Sequence, residues 1–325
     1  MTRAVPVAVT VVTAVRNGER YVQDSLRSLL DQVGPSLEVV VVDDGSTDRT
    51  PMLLDAVAES DPRLIVLHSR PHGFTQSLSL AVSRAAGTVI ARHDLDDLSL
   101  PGRLARQFSF LEAHPEVVAV GTEADVIDAS GDRVSAFPTV SGVAAVRRGL
   151  LSLRATPVHG SMMLRRSALD AVGGYRSAFR AAQDYDLWLR LIERGGVDVM
   201  PEVLYCWRLN PAGVYGRRRA EQLQFAGVAR MFADERRMNG HDSCERLERA
   251  GGDFEQFAVG YSLEGPLRAL WGELLYRGLN DPRLAGAHLR RAVTLGVLRP
   301  RTLALLAWAS LGRPWPGGQP LAAAG

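Results

Sequence analysis

Three carboxylates, Asp94, Asp96 and Asp97, stand within four residues, shortly after the predicted strand Thr88–Arg92. Carboxylates this close repel one another unless a cation or hydrogen-bond donors neutralise them. A hard divalent ion such as Mg²⁺ or Mn²⁺ is held by one or two carboxylates together with substrate phosphates and water. We therefore interpret Asp94 and Asp96 as a D-x-D pair that binds a metal. The alternative is an acidic turn that caps the helix after Pro101.

A second acidic pair, Asp43 and Asp44, follows the apolar run Val39–Val42. Capping of the next helix accounts for Ser46 and Thr47, because short hydroxyl side chains accept hydrogen bonds from the first N–H groups of a helix. Capping does not require the two carboxylates. They are suited to accept hydrogen bonds from a base N–H or from ribose hydroxyls, which indicates a nucleotide site.

Two other candidates lie later in the chain. Asp184 and Asp186 open an apolar helix, where carboxylates favour the helix dipole and where one of them is also a candidate general base. His159 precedes the apolar pair Met162-Met163. A histidine in such a setting is either a hydrogen-bonded part of the core or a group that contacts a diphosphate or a metal. Position alone leaves both alternatives open.

Two hydrophobic periods alternate along the N-terminal part of the chain. Continuous apolar runs predict buried strands, and apolar residues at i, i+4, i+7 and i+8, as in Val22, Leu26, Leu29 and Leu30, predict helices. The predicted strands are Val7–Thr13, Val39–Val42, Leu64–His68 and Thr88–Arg92. This order predicts an α/β fold with a mainly parallel, Rossmann-like sheet and flanking helices.

The candidate residues follow the ends of these predicted strands. Arg16 and Asn17 come after the first strand, the acidic pair at 43–44 after the second, and the three carboxylates at 94–97 after the fourth. Ligands of open α/β sheets bind beyond the carboxyl ends of the strands. We therefore predict that the three clusters converge on one edge of the sheet.

The composition excludes several chemistries. The chain has 325 residues, and its 38 basic residues are all Arg. Without Lys it can form no Schiff base, and it lacks the lysine of a phosphate-binding P-loop. The formal net charge of +2 does not indicate the strongly basic surface that binds nucleic acid. The two cysteines, Cys206 and Cys244, predict neither a disulfide framework nor a zinc cluster.

The chain divides by composition near residue 215. We predict a nucleotide-binding and catalytic domain over 1–215, a helical C-terminal region over 216–312 and a disordered tail over 313–325. The N-terminal residues run into the first predicted strand without an apolar signal core, so we expect a cytoplasmic protein.

The apolar segment Thr302–Ala309 is flanked by Arg299, Arg301 and Arg313. Such a segment suits a membrane surface, here the inner face of the membrane. Packing against the catalytic domain and a homodimer contact are the alternatives.

Six segments together resemble glycosyltransferase family 2. They are 11–21 (VVTAVRNGERY), 41–48 (VVDDGSTD), 91–101 (ARHDLDDLSLP), 159–166 (HGSMMLRR), 173–175 (GGY) and 184–191 (DYDLWLRL). The resemblance covers about residues 4–210 in the order of the family. It implies the GT-A fold, a nucleotide-diphospho-sugar donor and inversion at the anomeric carbon.

The resemblance also implies roles for the candidate residues. The implied donor-binding residues are Ala14, Arg16, Asn17, Asp43, Asp44, Asp94 and Asp97. The residues of the first turn and Asp43 would hold the nucleobase, with Asp44 close by. Asp94 would lie nearer the ribose. Asp96 would hold the metal, with His159 as a second candidate ligand, and Asp184 would be the catalytic base.

One departure from the family concerns the residues that would bind the nucleobase. The usual Pro-x-Tyr-Asn is Ala14-Val15-Arg16-Asn17 here, so arginine replaces an aromatic residue that would stack on the base. A guanidinium plane also stacks, so uridine stays favoured with weaker support. Because the chain has no lysine, the diphosphate must be met by metal, backbone N–H, histidine or arginine. Arg92, at the end of the fourth strand, is therefore a further donor-binding candidate.

These features predict a glycosyltransferase that uses Mn²⁺ or Mg²⁺ and moves one sugar from a nucleotide-diphospho-sugar, with UDP favoured. The acceptor would be a hydroxyl of a glycan, a lipid-linked or a small molecule, in cell-surface glycan or other glycoconjugate biosynthesis. Processive members of the family carry a Gln-x-x-Arg-Trp motif and membrane spans, and the sequence has neither, which favours a single addition. The alternatives are a sugar nucleotidyltransferase, whose Gly-rich loop is missing, and a catalytically silent binding protein.

Overall fold

The computed structural model describes residues 6–209, 219–261 and 264–314. Backbone contacts divide the chain into two compact units. The first contains the residues up to 176 together with 190–210, and the second contains 177–189 and the residues from 211 to 324. The predicted boundary at 215 lies outside the described residues, as does most of the predicted tail, and both stay predictions.

In the described part of the first unit, nine strands form one sheet. They are β1 (Val9–Val15), β2 (Leu37–Asp44), β3 (Leu64–Ser69), β4 (Val89–Arg92), β5 (Leu98–Ser99), β6 (Val117–Ile127), β7 (Arg133–Ala136), β8 (Met163–Arg165) and β9 (Gly196–Arg208). Their order is β3-β2-β1-β4-β8-β6-β9-β5, and β7 pairs with β6.

The first four strands pair in parallel, as the alternation of periods predicts. The valines of Val39–Val42 in β2 are fully buried, because helices cover both faces of a parallel sheet. Beyond β4 the sheet becomes mixed. Strand β8 runs antiparallel to both β4 and β6, β9 is parallel to β6, and β5 and β7 are antiparallel additions. The α/β fold class is confirmed.

Helices flank this sheet. In the first unit they are α1 (Val22–Leu30), α2 (Thr50–Ser60), α3 (Phe74–Arg84), α4 (Arg103–Ala113), α5 (Val143–Leu151) and α6 (Arg166–Ala171), with a 3₁₀ turn at His159–Ser161. The predicted apolar face of α1 is observed: Val22, Leu26 and Leu29 are buried against the core that β1 and β2 share. Helix packing therefore holds the strand ends in place.

The second unit is helical in its described residues. Its helices are α7 (Gln183–Leu191), α8 (Arg219–Asn239), α9 (Cys244–Arg249), α10 (Phe254–Ala258), α11 (Glu264–Leu279), α12 (Pro282–Thr294) and α13 (Pro300–Ser310). The residues of α7 up to Leu189 belong to this unit. Its core is aromatic: Phe225 packs edge-on against Phe254 at 4.7 Å between ring centroids, and Phe254 against Trp271 at 5.4 Å. The predicted helical C-terminal region is confirmed. None of the helices described is long and apolar enough to cross a membrane.

Candidate active site

The candidate site lies at the carboxyl ends of β1, β2 and β4. These strands are neighbours, and their register places Val15 opposite Asp43 and Val12 opposite Arg92. The turns that follow them therefore leave the sheet at one edge, as predicted. Most of the candidate residues of the first unit come together there.

Asn17 ties the turn after β1 to the turn after β2. Its backbone is left-handed, with φ of 58°, a conformation that Asn adopts more readily than most residues. Its N–H donates to Ser46 Oγ at 2.9 Å, and its side-chain oxygen accepts from the Thr47 N–H at 2.8 Å. Asn17 thus has a structural role in the candidate base pocket. Nearby, Ala14 is buried and the Arg16 side chain is exposed.

Asp43 is buried and accepts two hydrogen bonds. Its Oδ1 accepts from the Ser46 N–H at 3.0 Å, and its Oδ2 lies 3.0 Å from His68 Nδ1. The other ring nitrogen of His68 lies 2.9 Å from Asp55 Oδ1. The hydrogen bonds to Asp55 and then to Asp43 raise the pKa of His68. Sequence reasoning missed His68, although it lies in β3 directly opposite Asp43 of β2.

Because the pKa of His68 is raised in the folded state, its protonated form stabilises the fold. This contribution is complete below about pH 6.5, the ordinary value for histidine, and it is lost as the pH rises through the raised pKa. We expect His68→Gln to lower the free energy of unfolding by about 0.5 kcal/mol in mildly acid solution, since the His68 side chain is 43% exposed and exposed pairs contribute little. The difference should vanish in alkaline solution.

Urea unfolding of the wild type and His68→Gln across this pH range measures the effect. Asp55→Asn, which removes one partner, should weaken the same pH dependence. A stability difference that does not change with pH would contradict the assignment of this pair.

Asp44 points its carboxylate at the backbone before α3. Its Oδ1 accepts from the His72 N–H at 2.8 Å, and its Oδ2 accepts from the Gly73 N–H at 3.1 Å. Gly73 has φ of 101°, which a residue with a side chain rarely adopts. Asp44 therefore fixes how the chain enters α3, and its contact with a nucleotide stays a prediction.

Arg92 is fully buried under the turn that carries the D-x-D pair. Its guanidinium donates to Asp94 Oδ1 and to the His93 carbonyl, and the Asp97 N–H donates to the Asp94 carbonyl at 3.0 Å, which closes the turn. Burial alone would lower the pKa of Arg92, but the negative charge of Asp94, the nearby Tyr175 and Tyr205 hydroxyls and the hydrogen bond to Asp94 together outweigh burial and raise the pKa. The charge of Arg92 is thus directed at the side chain of Asp94.

Asp97 is buried and joins the same turn to β9. The Tyr205 hydroxyl donates to its Oδ2 at 2.7 Å, and the Arg208 N–H donates to its Oδ1 at 2.7 Å. Burial, and then the charges of Asp96 and Asp94, raise the pKa of Asp97 well above its ordinary value. These contacts give Asp97 a structural role, and its predicted place in the donor pocket stays a prediction.

Arg208 and Tyr205 are residues of this site that sequence reasoning missed. Arg208 Nε donates to the Asp96 carbonyl at 2.7 Å, and its guanidinium stacks 4.5 Å from the centre of the Tyr21 ring. Tyr205 accepts from the Asp94 N–H at 3.2 Å, and a Cβ at Gly160 would overlap its hydroxyl. Arg208 ends β9, so the same rule of polar residues at strand ends was the available signal.

His159 is buried in the first unit. Its Nε2 lies 2.8 Å from the Tyr175 hydroxyl, and burial, followed by the positive charge of Arg92, lowers its pKa well below the ordinary value. It is therefore neutral at neutral pH, which is the form that binds metals. The contact with Tyr175 gives it a structural role as well, and the role of a metal ligand stays a prediction.

The residues of the turn fit a divalent ion that binds together with a diphosphate. Among the described residues, no group of three or more His, Cys, Asp or Glu side chains is arranged to hold a metal by itself. Asp94 and Asp96 are both partly exposed, whereas Asp97 is buried. Mg²⁺ takes one or two carboxylates from a protein when substrate phosphates and water complete its shell.

Asp184 belongs to the second unit, where it lies in the first turn of α7 beside Asp186. Both carboxylates are buried, and the Asp186 N–H donates to the Ala182 carbonyl at 3.1 Å. Negative charge at a helix N-terminus is favourable, so the position suits an ionised carboxylate. The role of Asp184 as a base stays a prediction.

The sequence is similar to proteins that carry glycosyltransferase names. The putative glycosyltransferase EpsE of Bacillus subtilis is 37% identical over 193 residues, which are 58% of this chain and 67% of EpsE. The amylovoran biosynthesis glycosyltransferase AmsE of Erwinia amylovora is 29% identical over 217 residues, 64% of this chain and 79% of AmsE.

Two solved structures share the fold. TarS residues 1–349 of S. aureus superimpose with a TM-score of 0.58 at 18% identity, over 94% of this chain and 87% of that one. The mannosyltransferase PcManGT of Pyrobaculum calidifontis, solved with GDP-Man and Mn²⁺, gives 0.56 at 23% identity, over 95% and 81%. TarS has also been solved with UDP-GlcNAc.

The family model named glycosyl transferase family 2 matches residues 10–173, which contain the turns after β1, β2 and β4 and the 3₁₀ turn at His159. The motifs, the fold and the relatives agree with this match. The chain belongs to glycosyl transferase family 2.

Proposed function

We propose that the chain transfers one sugar from a nucleotide-diphospho-sugar to an acceptor hydroxyl, with inversion and with a divalent metal. The observation that carries the proposal is the turn at Asp94–Asp97, which follows β4 at the same sheet edge as the turns after β1 and β2. Two partly exposed carboxylates at that edge suit a metal-bound diphosphate, and Asp43, at the end of β2 on the same edge, suits a nucleobase.

The metal would be held by Asp96, with His159 as a further candidate, and Asp94 would lie nearer the ribose. When bound, Mn²⁺ or Mg²⁺ supplies positive charge that stabilises the diphosphate as it leaves. PcManGT, whose fold is shared, was solved with Mn²⁺. In this chain Arg208 holds the Asp96 backbone, and Arg92 orients Asp94.

The base of the donor is proposed to be uracil. Asp43 would accept from the base N–H, and the exposed guanidinium of Arg16 would stack on the ring where the family has an aromatic residue. TarS was solved with UDP-GlcNAc and PcManGT with GDP-Man. The choice between these bases is therefore the first property to measure.

Asp184 is proposed as the catalytic base. Inversion requires the acceptor oxygen to attack the anomeric carbon from the side opposite the diphosphate. As the new bond to the sugar forms, the bond to the diphosphate breaks, and the acceptor hydroxyl passes its proton to the Asp184 carboxylate. General-base help of this kind contributes about 10²–10⁴-fold to the rate.

The process we propose is cell-surface polysaccharide or other glycoconjugate biosynthesis on the cytoplasmic side, since AmsE is named for amylovoran biosynthesis. We assign donor binding and catalysis to residues 1–215 and acceptor contacts to the helical region 216–312. A single addition per encounter is favoured, because the sequence lacks the Gln-x-x-Arg-Trp motif of processive members.

A panel of UDP-, GDP- and dTDP-sugars tests the proposal by thermal shift, with Mn²⁺ and with a chelator in its place. We expect one nucleotide class, with UDP first, to raise Tm by several degrees only when metal is present. Ligand at about 100 times Kd adds about 2.7 kcal/mol to the free energy of unfolding. The absence of any metal-dependent shift across the panel would contradict the proposal.

A further inference from the structure

The C-terminal end of the chain is strongly basic. From Pro282 to Gly325 the sequence contains six Arg and no Asp or Glu, whereas the whole chain has 38 Arg against 36 acidic residues. The chain is therefore nearly neutral overall but ends in a segment whose charged side chains are all Arg, of which Arg291 and Arg301 pair with Glu264 and Glu273 of α11. Helices α12 and α13 form the described part of this region.

Helix α13 exposes apolar residues on the face that points away from its own unit. Thr302, Leu305 and Ala309 are buried, and Leu305 and Ala309 pack against α12. On the opposite face Leu303 is 41% exposed and Leu311, directly after the helix, is 65% exposed. Ala307 between them is exposed too, so Leu303, Ala307 and Leu311 have the i, i+4 and i+8 spacing of one helix face, and Ala304 is exposed beside them.

Arginines bracket this apolar face at both ends. Arg299 directly precedes α13, and Arg301 lies in its first turn. Leu298, next to Arg299, is 64% exposed. Arg301 also bonds Glu273 of α11, and Arg313 follows the helix with its guanidinium 4.9 Å from the centre of the Trp308 ring. We name the three leucines at 298, 303 and 311, with these three arginines, the α13 face.

We propose that the α13 face docks onto an anionic lipid bilayer. Exposed leucines between arginines match the boundary between headgroups and acyl chains, where an amphipathic helix lies in the plane of the membrane. The helix has 11 residues and is thus about 16 Å long, so it would lie along the surface. A second copy of this chain fits less well, because pairing two such faces would bring like charges together.

Sedimentation of the full chain with vesicles tests this inference. We expect pelleting with phosphatidylcholine–phosphatidylglycerol vesicles, little with phosphatidylcholine alone, and a decrease as salt is raised. The double variant Leu303→Glu, Leu311→Glu should bind at least about tenfold more weakly, since it removes two apolar anchors and adds like charge to that of the lipid. Val33→Glu is the matched control, because Val33 is 84% exposed in the first unit and should not alter binding.

A second variant, Arg299→Gln with Arg313→Gln, removes two positive charges and keeps the leucines, and it should weaken binding to anionic vesicles. Equal pelleting of the wild type and both variants would overturn the inference. So would a lipid-free dimer in size-exclusion chromatography that the leucine variant dissociates, since it would assign the face to a second copy. No sugar donor is present in these assays, so their outcome is separate from that of the proposed glycosyl transfer.

Discussion

Asp184→Asn is expected to lower the rate of sugar transfer at least about 10²-fold while leaving donor binding unchanged. The amide keeps the size of the carboxylate, but it cannot accept a proton from the acceptor hydroxyl. The donor would keep its contacts, because Asp184 is not among the residues proposed to bind it. Release of nucleoside diphosphate measures the rate, and calorimetry with the donor measures binding.

Asp186→Asn is the matched control for this prediction. It removes the same charge from the same turn of α7, from a carboxylate that is also buried. We expect its rate to stay within a few-fold of the wild type, provided that its unfolding transition is unchanged. Near-normal turnover by Asp184→Asn, or the large loss in Asp186→Asn instead, would contradict the assignment of the base.

The second large effect is expected from Asp96→Asn. The neutral amide is a much weaker ligand for a hard divalent ion than a carboxylate. A loss of about 2.7 kcal/mol of charge stabilisation corresponds to about a 10²-fold slower transfer. The hydrogen bond from Arg208 Nε to the Asp96 carbonyl does not depend on the carboxylate, and an unchanged unfolding transition of the variant is the check on the fold. Asp31→Asn, an exposed position after α1, is the control for loss of charge alone.

The sequence predicts the local parts of the candidate site well. Alternation of strand and helix periods orders β1 to β4, and parallel pairing then places the residues after Val15, Asp44 and Arg92 at one edge. Each of these steps depends on near neighbours in the chain and on the rule for parallel sheets. For that reason the position of the turns was predictable without any knowledge of distant contacts.

The contacts that β9 makes with the turn after β4 were not predictable. Tyr205 lies 108 residues from Asp97, and the two meet only because β9 joins the sheet beside β5 and β6. In the sequence Asp97 is indistinguishable from its neighbours Asp94 and Asp96. Burial separates them, since Asp97 is enclosed while the other two are partly open to solvent. Long-range strand pairing leaves no periodic signal in the chain, so the structural role of Asp97 remained hidden.

A buried arginine, where a lysine would be less suitable, lies behind the turn after β4. Arg103 is fully buried behind it, donates to the Arg92 carbonyl at 2.6 Å and to Ser99 Oγ at 2.7 Å, and packs over the Tyr205 ring. Burial lowers the pKa of Arg103 to about 10, so it stays charged at neutral pH. A planar guanidinium bonds several acceptors at once, whereas an ammonium is a point charge that burial neutralises more readily.

The central claim is that the turn after β4 holds the metal-bound diphosphate of a sugar nucleotide. The most direct test compares donor binding by the wild type and by Asp96→Asn, with and without Mn²⁺. Calorimetry with the donor that the thermal-shift panel identifies is the measurement. We predict that the wild type binds this donor only with Mn²⁺ and that Asp96→Asn weakens the binding about 10²-fold or more, with Asp31→Asn unchanged. Equal affinity in the wild type and Asp96→Asn, with or without the metal, would contradict the claim.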